Sequence, residues 1–163
     1  MISSPRSARA AVVAIAALAW GACLGDDPVE ADVEFEVIEE ADFDSALGID
    51  LGAMIRLESG VYIEDLEVGE GADEVGWGDW VEMTYAGWLR SGAQYLPTDT
   101  IEFQIGGAVV PSGVHVGMIG QRLGGVRRMI VPPEHGYGAA AYQNVPAGSI
   151  LIFQVELLEV SGG

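Results

Sequence analysis

Residues 131–157 read VPPEHGYGAAAYQNVPAGSILIFQVEL. An apolar strand stops there at Pro132 and Pro133, because proline has no N–H to give a sheet ladder. Tyr137 stands between Gly136 and Gly138, a run of small residues follows, and Pro146 precedes a second strand whose first residues are apolar on both faces. Between the strands, residues 132–149 hold one histidine, one glutamate and no cysteine or lysine. A tyrosine so placed has room to stand over a pocket instead of burying in a core. The loop's use then depends on shape more than on reactive groups.

Upstream, residues 61–71 (VYIEDLEVGEG) alternate apolar and polar and end on glycine, which predicts a strand. A longer strand is predicted over 78–92, with a turn at Ser91–Gly92, and another over 101–107. The strand at 126–133 and the last one, over 149–160, complete a set of five. Between the third and fourth, only Val114–Gln121 offers a helix, and its glycines weaken the signal. The reading is an α+β domain with a twisted antiparallel sheet of about five strands and one short helix.

The chain has 163 residues and a net charge of −18, with 25 acidic residues against 7 basic ones, all arginine. Such a charge repels nucleic-acid phosphates and anionic lipid, so neither is expected as a partner. The acid is uneven. Residues 24–74 carry 18 of the 25 carboxylates and residues 75–163 carry 7. That asymmetry predicts an acidic tether over 23–55, with a possible short strand or docked segment at VEFEVIE, followed by a compact domain over 56–163.

Residues 1–22 have the form of a signal peptide: Arg6 and Arg9, then an apolar stretch of about ten residues, too short to span a bilayer. Gly21-Ala22-Cys23 follows, and Cys23 is the only cysteine, so no internal disulfide is possible. The stretch resembles a bacterial lipoprotein signal, which implies lipid on the Cys23 sulfur; simple signal cleavage, or an unprocessed anchor or buried thiol, are the other readings. Lipidation would attach the chain to a membrane through acyl chains alone. The expected location is the periplasm or cell envelope, and the expected state is a monomer.

Reactive chemistry is poorly supplied. No Gly-x-Ser-x-Gly is present, and two histidines twenty residues apart, His115 and His135, do not make a zinc site. Each histidine reads as a surface or loop residue, and no metal or cofactor is expected.

MTYAGWLRSG, FQIGG, LGGVRRMIVPPEHGYG and VPAGSILIFQVELLEV, in that order, resemble the FKBP-type peptidyl-prolyl isomerase domain, over about Ser59–Val160. The resemblance implies a sheet curled around one short helix with an apolar pocket between them, and a reaction that breaks no covalent bond. Rotation about the bond before proline faces a barrier of about 18–20 kcal/mol from the partial double bond of the amide. A pocket that excludes water and holds the twisted carbonyl lowers it by binding the transition state better than the ground state. Clients would be proline-containing polypeptides.

By the same resemblance, Tyr137 donates to the substrate carbonyl and Tyr85 is the second catalytic tyrosine. Tyr95, Ile101, Phe103, Val109, Val110, Val145 and Phe153 line the pocket. A backbone N–H of Val110 meets the ligand, unless the alignment slips and Pro111, which has none, takes that place. Two positions depart from the family. Its pocket aspartate falls on Leu96, and its floor tryptophan falls on Val114, or on Gly113 if the alignment slips. These departures carry the alternative reading, a catalytically weak module that grips proline segments as a holdase or scaffold.

Overall fold

The computed structural model describes residues 33–162. The expected signal segment, Cys23 and the first part of the expected tether lie outside the described residues. Six strands form one antiparallel sheet: β1 (Ile55–Arg56), β2 (Tyr62–Glu67), β3 (Trp80–Leu89), β4 (Gln94–Gln104), β5 (Val126–Val131) and β6 (Leu151–Ser161). Their order across the sheet is β1-β2-β5-β6-β3-β4. The sixth strand is the two-residue β1, too short for alternation to reveal. β4 begins at Gln94, seven residues before the expected start at Ile101, and passes through Pro97. Proline is tolerated there because β4 is the free edge of the sheet.

One helix, α1 (Ser112–Met118), crosses the concave face. It starts two residues before the expected Val114, because Pro111 takes the N-cap position, and it ends at Ile119, whose backbone is extended. The glycines that weaken the helix signal let it sit low on β5. A Cβ on Gly113 would overlap the Val131 side chain, and one on Gly117 would overlap Met129. Four residues apart, the two positions share one helix face. Under α1 lies the main core, with Val81, Met83, Phe103, Met118, Met129 and Leu157 buried.

The sheet has a second apolar face. Ile130, Ile150 and Ile152 point away from α1 and are covered by residues 33–54, whose Ile38 and Met54 are buried against them with Phe43, Leu47 and Leu51 alongside. The expected solvated tether is therefore, from residue 33 on, a docked strap. Burying Ile38 alone contributes about 2 kcal/mol. Its carboxylates are used structurally. Glu36 accepts from Arg90 Nε at 2.6 Å and from the Ile150 amide at 2.8 Å. Glu39 accepts from the Tyr62 hydroxyl at 2.8 Å, which holds its carboxyl below the usual range. The Glu36 amide donates to the Gly148 carbonyl at 2.9 Å. Gly148 has φ +73° and no space for a Cβ beside the Glu34 carbonyl, so this junction requires glycine.

Candidate active site

A cavity of about 110 Å³ opens between the concave face of the sheet and α1. β3 supplies Met83 and Tyr85, β4 supplies Leu96 and Ile101, and β6 supplies Phe153. Val109, Val110 and Pro111 come from the loop before α1, Val114 from α1 itself, and Tyr137 and Tyr142 from the loop after β5. Strand register explains the gathering. Paired residues in an antiparallel sheet share a face, and Val81↔Phe103, Met83↔Ile101 and Gly87↔Leu96 all project toward α1. A larger groove of about 410 Å³ runs along the strap, but it is open and lined by Glu34, Glu36, Glu40, Asp42 and Arg90. The smaller cavity is the apolar one.

Eight of the expected residues meet there: Tyr85, Leu96, Ile101, Val109, Val110, Val114, Tyr137 and Phe153. Three do not line it. Phe103 is 1% exposed and belongs to the core. Tyr95 packs over Gly87, edge-on to Phe153 at 6.2 Å and to Tyr137 at 6.5 Å, and supports these two lining rings. Val145 is buried under the loop and exchanges two backbone hydrogen bonds with Tyr142, at 2.8 and 3.0 Å. Met83 and Tyr142 are lining residues that sequence reasoning missed, and Pro111, expected only as the slipped alternative to Val110, lines the cavity as well. Met83 could have been found from the alternation that selects Val81 and Tyr85. Tyr142 sits in a run without periodicity, and only its pairing with Val145 turns it inward. Pro111 lies between Val110 and α1, so the residue directly before the helix has no N–H to offer a ligand.

His115 also differs from its surface reading. It is 3% exposed on α1, its ring edge-on to Phe103 at 5.5 Å, with Nδ1 accepting from the Gly106 amide at 3.1 Å. It faces the core side of the loop that carries Val109, Val110 and Pro111.

The lining contains no carboxylate, histidine, lysine or cysteine. Its polar groups are tyrosine hydroxyls. Burial pushes the Tyr137 hydroxyl up to about 12, with the neighbouring Tyr142 and Tyr85 adding to it. Tyr85 is raised by burial first and then by the charge of Asp99, and Tyr95 is raised further by burial. All three stay protonated at neutral pH and can donate. Tyr137 stacks on Tyr142 at 4.4 Å and 18°, which fixes its ring plane over the cavity. The site cannot shuttle protons at neutral pH. It can remove water from a small apolar group and offer a hydroxyl to a carbonyl beside it.

The sequence profile of the FKBP-type peptidyl-prolyl cis-trans isomerase family matches residues 71–158, more than half of the chain. FK506-binding protein 4 of Chaetomium thermophilum is 34% identical over 109 residues, 65% of this chain and 22% of that protein. A peptidyl-prolyl cis-trans isomerase of Saccharomyces cerevisiae is 35% identical over 107 residues, 64% of this chain and 26% of its own length. The chain thus spans about a quarter or less of these curated relatives. Among solved structures, FkpA from Escherichia coli superposes with a TM-score of 0.62 at 26% identity, over 72% of this chain and 55% of that one. A peptidyl-prolyl cis-trans isomerase from Pseudomonas syringae pv. tomato gives 0.60 at 25% identity, over 67% and 81%.

Proposed function

The chain belongs to the FKBP-type peptidyl-prolyl cis-trans isomerase family, and from that membership we propose that its pocket takes the proline of a polypeptide client and speeds rotation about the preceding peptide bond. The observation that carries this reading is the pairing of an uncharged, apolar lining with the protonated Tyr137 hydroxyl. The proline ring packs against Ile101, Val114 and Phe153. Desolvation disfavours the planar, charge-separated amide relative to the twisted one, and Tyr137 donates to the rotated carbonyl. The reaction needs no proton transfer, which suits a site without an acid or base.

Tyr137→Phe keeps the ring and its stack on Tyr142 but removes the donor. Isomerisation of a short proline peptide is expected to fall about tenfold, the worth of one hydrogen bond made mainly in the transition state. An unchanged rate would move the chemistry away from this hydroxyl. The second reading, a module that holds proline segments with little turnover, is favoured by Leu96 and Val114, which line the pocket and give it neither a carboxylate nor an aromatic floor. Peptide binding without measurable turnover in the parent chain would select it.

Export to the cell envelope and lipid attachment at Cys23 complete the proposal. Arg6 and Arg9, the apolar stretch after them and the Gly-Ala-Cys sequence support it. In a bacterial host the parent chain should sediment with membranes and a Cys23→Ser chain should not. Equal partition of the two would exclude a lipid at that sulfur.

A further inference from the structure

The pocket lining is uncharged, yet one of its tyrosines, Tyr85, is paired across β3 and β4 with a carboxylate. Asp99 is the cross-strand partner of Tyr85, in the same register that places Ile101 opposite Met83. Partners across an antiparallel pair share a face, so Asp99 projects to the concave side beside a pocket tyrosine. Strand alternation turns Thr100, the partner of Thr84, to the other side of the sheet. Between Asp99 and Leu96 the ladder slips by one residue, which keeps both on the pocket side.

Asp99 is exposed, and its Oδ1 accepts from the Thr100 amide at 2.8 Å. No cation of the described residues pairs with it. Each of the five arginines there is engaged with another acid, from Arg56 with Glu39 to Arg128 with Glu64. The chain has no lysine. The charge nevertheless reaches into the site, since it helps raise the Tyr85 hydroxyl. Asp99 is therefore a solvated carboxylate, free among the described residues to meet a cation that a ligand brings.

We propose that Asp99 makes this pocket select proline segments that carry a lysine or arginine next to the proline. The inference rests on the pocket being the place where proline segments bind, as proposed above. A proline seated against Ile101 and Phe153 sends its flanking residues out over β3 and β4, where Asp99 is the carboxylate on the concave side next to Tyr85. The attraction is partly solvated, so it biases affinity without locking it. The flanking charge is paired alike in the planar and the twisted amide, so the bias belongs in KM and not in kcat.

The test uses labelled proline peptides that differ only in having Lys, Ala or Glu beside the proline, on either side. Binding is read by fluorescence anisotropy and turnover by isomerisation. In the parent chain, the best Lys peptide is expected to bind about two- to fivefold more tightly than its Ala counterpart, with Glu weakest. Raised salt should shrink the difference. Asp99→Asn should erase the ranking. Glu102→Gln removes the same charge from the exposed opposite side of β4, and should keep it. A ranking that survives Asp99→Asn, or that Glu102→Gln reduces equally, overturns the proposal and assigns any preference to the overall charge of −18. If no peptide is turned over, isomerase activity fails as a reading, while the anisotropy ranking still decides the role of Asp99.

Discussion

Replacing Arg127 with methionine is expected to destabilise the domain by about 3 kcal/mol. Its side chain is 5% exposed. Nε and Nη2 meet the two oxygens of Asp65 at 2.6 and 3.2 Å, and Nη1 donates to the carbonyls of Gly117 and Ile119 at 2.8 and 3.0 Å. These carbonyls end α1, so one guanidinium ties the helix to β2 through Asp65. Methionine fills much of the volume but leaves the two carbonyls without their donor. Asp65 is 39% exposed and regains water, which keeps the loss below the upper range for a broken buried pair. Denaturant unfolding should show a lower midpoint with an unchanged slope, and melting should fall by roughly 10 °C. Arg127→Lys should recover only part, since a single ammonium cannot replace the planar fork that spans Asp65 and both carbonyls. A loss under about 1 kcal/mol would mean that water replaces the guanidinium without cost.

The second large effect is on acid stability and comes from His115. Its Nδ1 accepts from the Gly106 amide, so the proton of the neutral ring sits on Nε2, which is buried without a hydrogen-bond partner. A second proton would set N–H against N–H at a buried site. Burial accordingly pushes the His115 pKa below its ordinary value, with the carbonyls of Gly107 and Val110 pulling the other way. The unfolded chain then binds this proton more readily than the folded one. The contribution is whole above about pH 6.5 and is lost as pH falls from there through the folded pKa, at up to about 1.4 kcal/mol per unit. His115→Gln keeps an acceptor for Gly106 but cannot gain the charge. Between pH 6.5 and 5, above the range where ordinary carboxylates titrate, stability of the parent chain should drop and that of the variant should stay flatter. Equal slopes would remove His115 as the cause. Loosening should begin at residues 106–111, which carry three of the pocket's lining side chains.

These two residues also mark where sequence reading stops. Arg127 follows Val126 in a strand legible from its apolar run and its Pro-Pro end, but nothing in a strand pattern says that one arginine of a pair turns under a helix. His115 reads as exposed because a short helix rich in glycine has no apolar stripe to show which of its faces is buried. The glycines at 113 and 117 are there for closeness, and closeness buries the histidine. The pocket was more legible. Tyr85, Ile101 and Phe153 follow from strand alternation together with the family resemblance, and Tyr137 from its place between two glycines. Tyr95 and Phe103 are expected in the wall by resemblance alone, and matching motif positions does not tell a lining side chain from one that packs a layer behind it. The strap stayed hidden for another reason. Ile38, Phe43, Leu47 and Met54 follow no helical or strand period, since short 3-10 turns at Ile38–Glu40 and Ser45–Leu47 break the chain's direction. One clue was present: Ile150 and Ile152 make the last strand apolar on its second face, and such a face needs a cover.

The strap sets an order in time. A ribosome releases residues 33–54 before any of the surface they cover, and Glu36 meets Ile150 across 114 positions of sequence. While the chain is being made, Ile38 and its neighbours have no seat, because β5 and β6 are still to come. The closing of this long loop follows the pairing of the last strand, and contacts of such separation form slowly. The same late contact holds the pocket's lip: Glu36 bonds Gly148, Gly148 donates to the Gly138 carbonyl at 2.8 Å, and Gly138 adjoins Tyr137. The first part of the described chain to be synthesised is thus among the last to settle, and its arrival fastens the loop that carries Tyr137.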